Sequence, residues 1–154
     1  MKLGLYFFSS FFFRKLMLIL KEDVKNGFKK ITRWFKGINI FKCDYIFLPI
    51  LLSGHWSMIV MCSLGNEPGL LHLNSLKSTT HLEAEEHIKC FLSLEWERQN
   101  NLESLKISKK DLLELQMQVV EVPQQPKDNG TDCGIYLIKI VDVFLHTVTE
   151  GVAL

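Results

Sequence analysis

The chain has 154 residues, 47% of them hydrophobic and 23% charged, with a mean hydropathy of +0.12. That length and apolar fraction suit one domain with its own core, and they exclude wholesale disorder, a collagen-like repeat and low-complexity character. The net charge of +1 hides a split: residues 1–42 hold ten bases against Glu22 and Asp23, an excess of +8, and the remainder carries −7.

The first twenty residues, MKLGLYFFSSFFFRKLMLIL, place a lysine before an apolar run, as a signal peptide does. Arg14 and Lys15 interrupt the run and no small-x-small cleavage site follows, so a packed helix or loop-helix is expected, not a leader or a membrane span. Residues 5–36 read as helix in two pieces around Asn26-Gly27, with Phe28, Ile31 and Phe35 on one face of the second. The phenylalanines form a block and are not interleaved as stacking positions, so the basic front reads as solvated helix faces and no nucleic-acid partner is expected.

Residues 45–50 predict a short apolar strand, with Pro49 near a sheet edge. Residues 55–62 (HWSMIVMC) predict a buried strand between Ser53-Gly54 and Gly65, and residues 70–74 (LLHLN) a third after a Gly- and Pro-containing turn. Helix returns at 82–97, where Ala84, Ile88, Phe91 and Leu92 share a face. Ser108 to Asp111 has the form of a capping box opening a helix to Leu115. Gln118–Val122 predicts a strand, Asp128-Asn129-Gly130 a turn, and the residues after Cys133 a final amphipathic helix. This order of elements, without repeats or linkers, argues an α+β fold.

Four widely spaced cysteines, Cys43, Cys62, Cys90 and Cys133, form no C-x-x-C pair and suggest buried or catalytic thiols in a reducing compartment. His81, His87 and Cys90, with His72 in reach, offer metal-ligand types, but their spacing fits no zinc template. Cys133 differs from the other thiols. It stands where a helix begins, and the free N–H groups and positive dipole end of a first helical turn favour a thiolate. Such a nucleophile needs an imidazole to take its proton and a third group to orient the ring. His55 opens one predicted strand and Asn74 closes the next, so two adjacent strands can bring them together. An acyl-transfer site also needs oxyanion donors. The backbone N–H of Cys133 is one, and Gln124 or Gln125 supplies the other.

His55-Trp56-Ser57, Leu71-His72-Leu73-Asn74-Ser75-Leu76, Val122-Pro123-Gln124-Gln125 and Asp132-Cys133-Gly134 together resemble the ubiquitin-like-protein-specific (SUMO or sentrin) proteases, cysteine peptidases with a papain-like α+β fold. Phe8 to Leu16 and Asp44 to Ile50 are similar to further segments of that family, so the likeness spans nearly the whole chain. It implies a small central sheet flanked by helices, with His55 as general base, Cys133 as nucleophile, Asn74 in the place of the family's orienting Asp, and Gln125 as the leading oxyanion donor. Trp56 is implied as lining for the channel that admits a diglycine tail. The implied reaction is cleavage after the C-terminal Gly-Gly of SUMO or a related modifier, without cofactor or metal. The implied protein is a monomer in the nucleus or cytoplasm, acting on the modifier and its conjugates, with no membrane partner. The alternative is a relative that binds a modifier with little catalysis. Two differences in sequence accompany the likeness: Asn74 replaces Asp, and the stretch from Gln125 to Cys133 is two residues longer than the usual motif. The likeness also implies that residues 1–154 are one catalytic domain lacking the family's N-terminal segment and its tryptophan.

Overall fold

The computed structural model describes residues 2–77 and 80–151. The apolar runs that predict strands pair first as a hairpin. β2 (Tyr45–Leu52) and β3 (His55–Cys62) run antiparallel, with Leu52 opposite His55. The two linking residues, Ser53 and Gly54, have φ of 51° and 72°. Positive φ at both central positions is the type I′ geometry that matches strand twist, and it makes His55 the first residue of β3. β4 (Gly69–Leu73) adds antiparallel to β3. Two short strands complete the sheet in parallel pairings, β1 (Leu5–Phe7) beside β2 and β5 (Met117–Val119) beside β4, giving the order β1-β2-β3-β4-β5.

Alternation along the strands gives each sheet face its own core. Ile46, Leu48, Ile50, Ile59, Met61 and Leu70 lie in a cluster with residues of α1 (Phe12–Glu22), α2 (Val24–Ile31), α3 (Thr80–Asn100) and α4 (Lys109–Leu113). Phe47, Met58, Val60 and Leu73 pack with Leu137, Ile140, Phe144 and Val148 of α5 (Cys133–Thr149). The first core is aromatic at its centre: the fully buried Phe91 has ring contacts with Phe8, Phe12, Phe28 and Phe35. The fold is α+β, as expected. Ala84, Ile88, Phe91 and Leu92 are all buried, and the capping box at Ser108 and Asp111 is formed in both directions.

The expectation of helix from residue 5 is corrected. Leu5–Phe7 is strand because its backbone pairs with Tyr45–Phe47, and an apolar run this short carries no period of its own to oppose that pairing. The break between the first two helices falls at Asp23, not at Asn26-Gly27. The Asp23 carboxylate caps α2 by accepting from the Asn26 N–H at 3.3 Å. Gly27 is inside α2 for a packing reason: a Cβ there would lie 1.8 Å from Ile19 Cγ2. The strand expected at 118–122 is Met117–Val119, and the helix expected to reach Leu115 ends at Leu113. Two of the five phenylalanines near the start, Phe7 and Phe11, are exposed. Among the described residues, no helix is long and apolar enough to cross a membrane.

Candidate active site

His55 and Asn74 meet at the end of the sheet. His55 Nε2 and Asn74 Oδ1 are 2.5 Å apart, and the Leu76 N–H donates to the same oxygen at 3.1 Å. A backbone N–H only donates, so the atom receiving it is the amide oxygen, and the His55 nitrogen facing it carries the proton. In the neutral ring that assignment leaves Nδ1 as the nitrogen able to accept a proton. The I′ turn places His55, and the end of β4 one strand over places the buried Asn74. One step further along the same two strands, His72 Nε2 lies 2.9 Å from Ser57 Oγ, with both residues buried.

Cys133 is the first residue of α5 and is buried. The helix is docked through its apolar face, which puts its N-terminus against the start of β3. A Cβ at Gly134 would lie 3.9 Å from Trp56 Cδ1, an ordinary contact distance, so the start of the helix lies beside the indole that follows His55. Trp56 packs against the second core and also lines a cavity of about 280 Å³ with Ser10, Phe11, Arg14, Met17 and Leu51. The other three thiols have their titration raised by burial, Cys62 to about 11.

The two glutamines have different surroundings. Gln124 is exposed, and its Nε2 donates to the carbonyls of Asn74 at 3.0 Å and Val122 at 3.1 Å, which occupies both of its N–H groups. Gln125 is buried. Its Oε1 accepts from Ser75 Oγ at 2.5 Å, its Nε2 donates one N–H to the Asn129 carbonyl at 3.0 Å, and its backbone N–H donates to the Ser75 carbonyl at 2.8 Å. Gln125 thus ties the segment after β4 to the loop that precedes Cys133.

Asn129 organises that loop. Its Oδ1 accepts from the N–H of Asp132 at 3.1 Å and of Thr131 at 3.3 Å, and its Nδ2 donates to Asp132 Oδ2 at 2.9 Å. In the sequence Asn129 reads only as part of a turn, and Ser75 carries no signal of a role. The preference of Asn for bonds to nearby backbone was the one available signal. His87, considered as a metal ligand, donates from Nδ1 to the Glu83 carbonyl at 2.8 Å and has an edge contact with Phe13. The His81 side chain lies outside the described residues.

The sequence matches the model of the Ulp1 protease family, C-terminal catalytic domain, over residues 2–153. It is 32% identical over 159 residues to the probable ubiquitin-like-specific protease 2B of Arabidopsis thaliana, covering 91% of this chain and 17% of that protein. It is 35% identical over 159 residues to ubiquitin-like-specific protease 1D of the same plant, covering 94% of this chain and 27% of that one. The chain therefore spans about a sixth to a quarter of the length of these relatives. Among solved structures, that of a de-sumoylating protease superposes with a TM-score of 0.76 at 26% identity, covering 96% of this chain and 54% of that one.

Proposed function

The chain belongs to the Ulp1 protease family, and from that premise we propose that it is a cysteine peptidase that cleaves after the C-terminal Gly-Gly of SUMO or a related ubiquitin-like protein. The observation that carries this reading is the bond from His55 Nε2 to Asn74 Oδ1, which leaves Nδ1 of the same ring as base, next to the segment of sheet on which the start of α5 is docked.

In the proposed reaction His55 Nδ1 takes the proton of Cys133 Sγ, and the thiolate attacks the carbonyl carbon of the terminal glycine. The N–H groups of the first turn of α5 favour the negative charge on sulfur. The tetrahedral oxyanion receives hydrogen bonds from the Cys133 N–H and from the second N–H of Gln125 Nε2. On collapse the C–N bond breaks, the imidazolium returns its proton to the departing lysine or peptide amine, and a thioester remains on Cys133. Water, deprotonated by the same imidazole, then attacks the thioester to release the glycine carboxylate and the thiol. Trp56 lines the approach to the thiol, so that a tail of two glycines passes most easily. The same reading gives a monomer working on modifier conjugates in the nucleus or cytoplasm, with neither nucleic acid nor membrane as partner.

The test is a SUMO probe with an electrophilic C-terminus. It is expected to label the wild-type chain at Cys133 and to leave Cys133→Ser unlabelled. A folded wild-type chain that no SUMO-type probe labels would overturn the proposal. A second reading, modifier binding with little hydrolysis, is favoured by the amide at position 74, which orients the imidazole but adds no charge to support its protonated form. Asn74→Asp separates the two, since a large gain in turnover from a nearly inactive wild type supports the binding-only reading.

A further inference from the structure

Resting on the proposed hydrolytic role of this site, we propose that Ser75 is a positioning residue that sets the Gln125 amide to donate to the oxyanion. A carboxamide has two ends of nearly equal size, and only its nitrogen end stabilises negative charge. At one end the Asn129 carbonyl accepts a hydrogen bond at 3.0 Å, which requires Nε2 there. The other end, Oε1, is then a buried acceptor that needs a donor, and Ser75 Oγ–H supplies it at 2.5 Å. Ser75 also accepts the Gln125 backbone N–H at 2.8 Å, so it holds this residue at both main chain and side chain.

The position of Ser75 explains why this matters. Asn74, one residue earlier, holds His55. Consecutive residues at the end of β4 therefore grip the imidazole and the oxyanion amide, and both report to the same strand. From Gln125 the connection runs on through Asn129 to Asp132, the residue before Cys133. Without the serine hydroxyl, Oε1 loses its Ser75 donor and the amide is held only through Nε2, by the Asn129 carbonyl. The Cys133 thiol and the His55–Asn74 pair stay where they are, so binding of the modifier is retained while the transition state loses a donor.

The experiment measures release of 7-amino-4-methylcoumarin from SUMO carrying that group as a C-terminal amide, with the wild type, Ser75→Ala, Gln125→Ala and the double variant. Gln125→Ala is expected to lower kcat about 100- to 1,000-fold, the cost of one oxyanion donor. Ser75→Ala is expected to lower kcat by at least about 10-fold with KM within about twofold, and the double variant to match Gln125→Ala alone. Additive losses, or a Ser75→Ala defect that appears in KM and thermal stability but not in kcat, would overturn the role. Should Ser75→Ala fail to fold, Ser75→Thr and Ser75→Cys decide: threonine keeps an O–H donor and cysteine only a weak one, so kcat must fall in that order, and equal kcat overturns the role. A wild type inactive on every SUMO-type substrate counts against the hydrolase reading itself. An active wild type with unimpaired Ser75→Ala counts against Ser75 alone.

Discussion

Asn74 Oδ1 accepts hydrogen bonds from His55 Nε2 at 2.5 Å and from the Leu76 N–H at 3.1 Å. The second fixes the identity of the first, because only an amide oxygen can serve both donors. The pair therefore determines which imidazole nitrogen is basic, and it does so with a neutral partner. Asn74→Ala removes the acceptor and frees the ring, and kcat is expected to fall about 100-fold, the cost of misplacing a reacting group by about an ångström. Asn74→Asp keeps the acceptor and adds a negative charge that favours the imidazolium. Because the base must be unprotonated to take the thiol proton, the acidic limb of the kcat/KM profile is expected to move to higher pH in that variant, and an unmoved limb would show that position 74 does not couple to the base.

Thiol reactivity is expected to divide one against three. Burial raises the titration of Cys43, Cys62 and Cys90, Cys62 to about 11. Raised values mean less thiolate at neutral pH, so alkylation at these three is slow there and speeds up as pH climbs, for Cys62 up to about 11. Cys133 at the start of α5 is expected to react first with iodoacetamide at neutral pH. Peptide mapping after partial alkylation checks this, and faster modification of Cys62 would contradict it.

The neighbouring glutamines are expected to behave differently despite their identical chemistry. Gln124 is exposed and spends both side-chain N–H groups on the Asn74 and Val122 carbonyls, whereas Gln125 is buried with one N–H committed to Asn129. Gln124→Ala should change kcat less than about threefold, against the loss of about 100-fold or more for Gln125→Ala. Steady-state kinetics on one substrate compare them directly, and a reversed ranking would exchange their roles.

Phe91 joins the aromatic residues of α1 and α2 to α3. Its ring is fully buried and meets the rings of Phe8, Phe12, Phe28 and Phe35. Phe91→Ala should cost about 3–5 kcal/mol of folding stability through lost transfer energy and a cavity lined by stiff rings. Denaturant unfolding followed by tryptophan fluorescence measures it. A loss below about 1 kcal/mol would mean that α1 and α2 collapse onto the gap.

The strand that begins at His55, the buried stripe of α3, the capping box at Ser108 and the helix after Cys133 were all legible in the sequence. Each is written in local patterns: a Ser-Gly turn, a period of 3.6, a Ser-x-x-Asp cap and an apolar face. The sequence allowed His55 and Asn74 to meet, as the ends of two adjacent strands, and the register that brings them together came from the tertiary structure. The tertiary structure alone decided that Leu5–Phe7 is strand, since that depends on a partner forty residues away. It also decided why Gly27 lies within α2, since Ile19 of α1 fills the space a side chain would need. The difference between Gln124 and Gln125, and the Ser75 hydroxyl that faces one of them across fifty residues, came from the same source. Two adjacent identical residues share composition, spacing and propensity, so no local signal separates them. Only burial and the far ends of their hydrogen bonds do, and those exist once the strand end and the loop before Cys133 have been brought together.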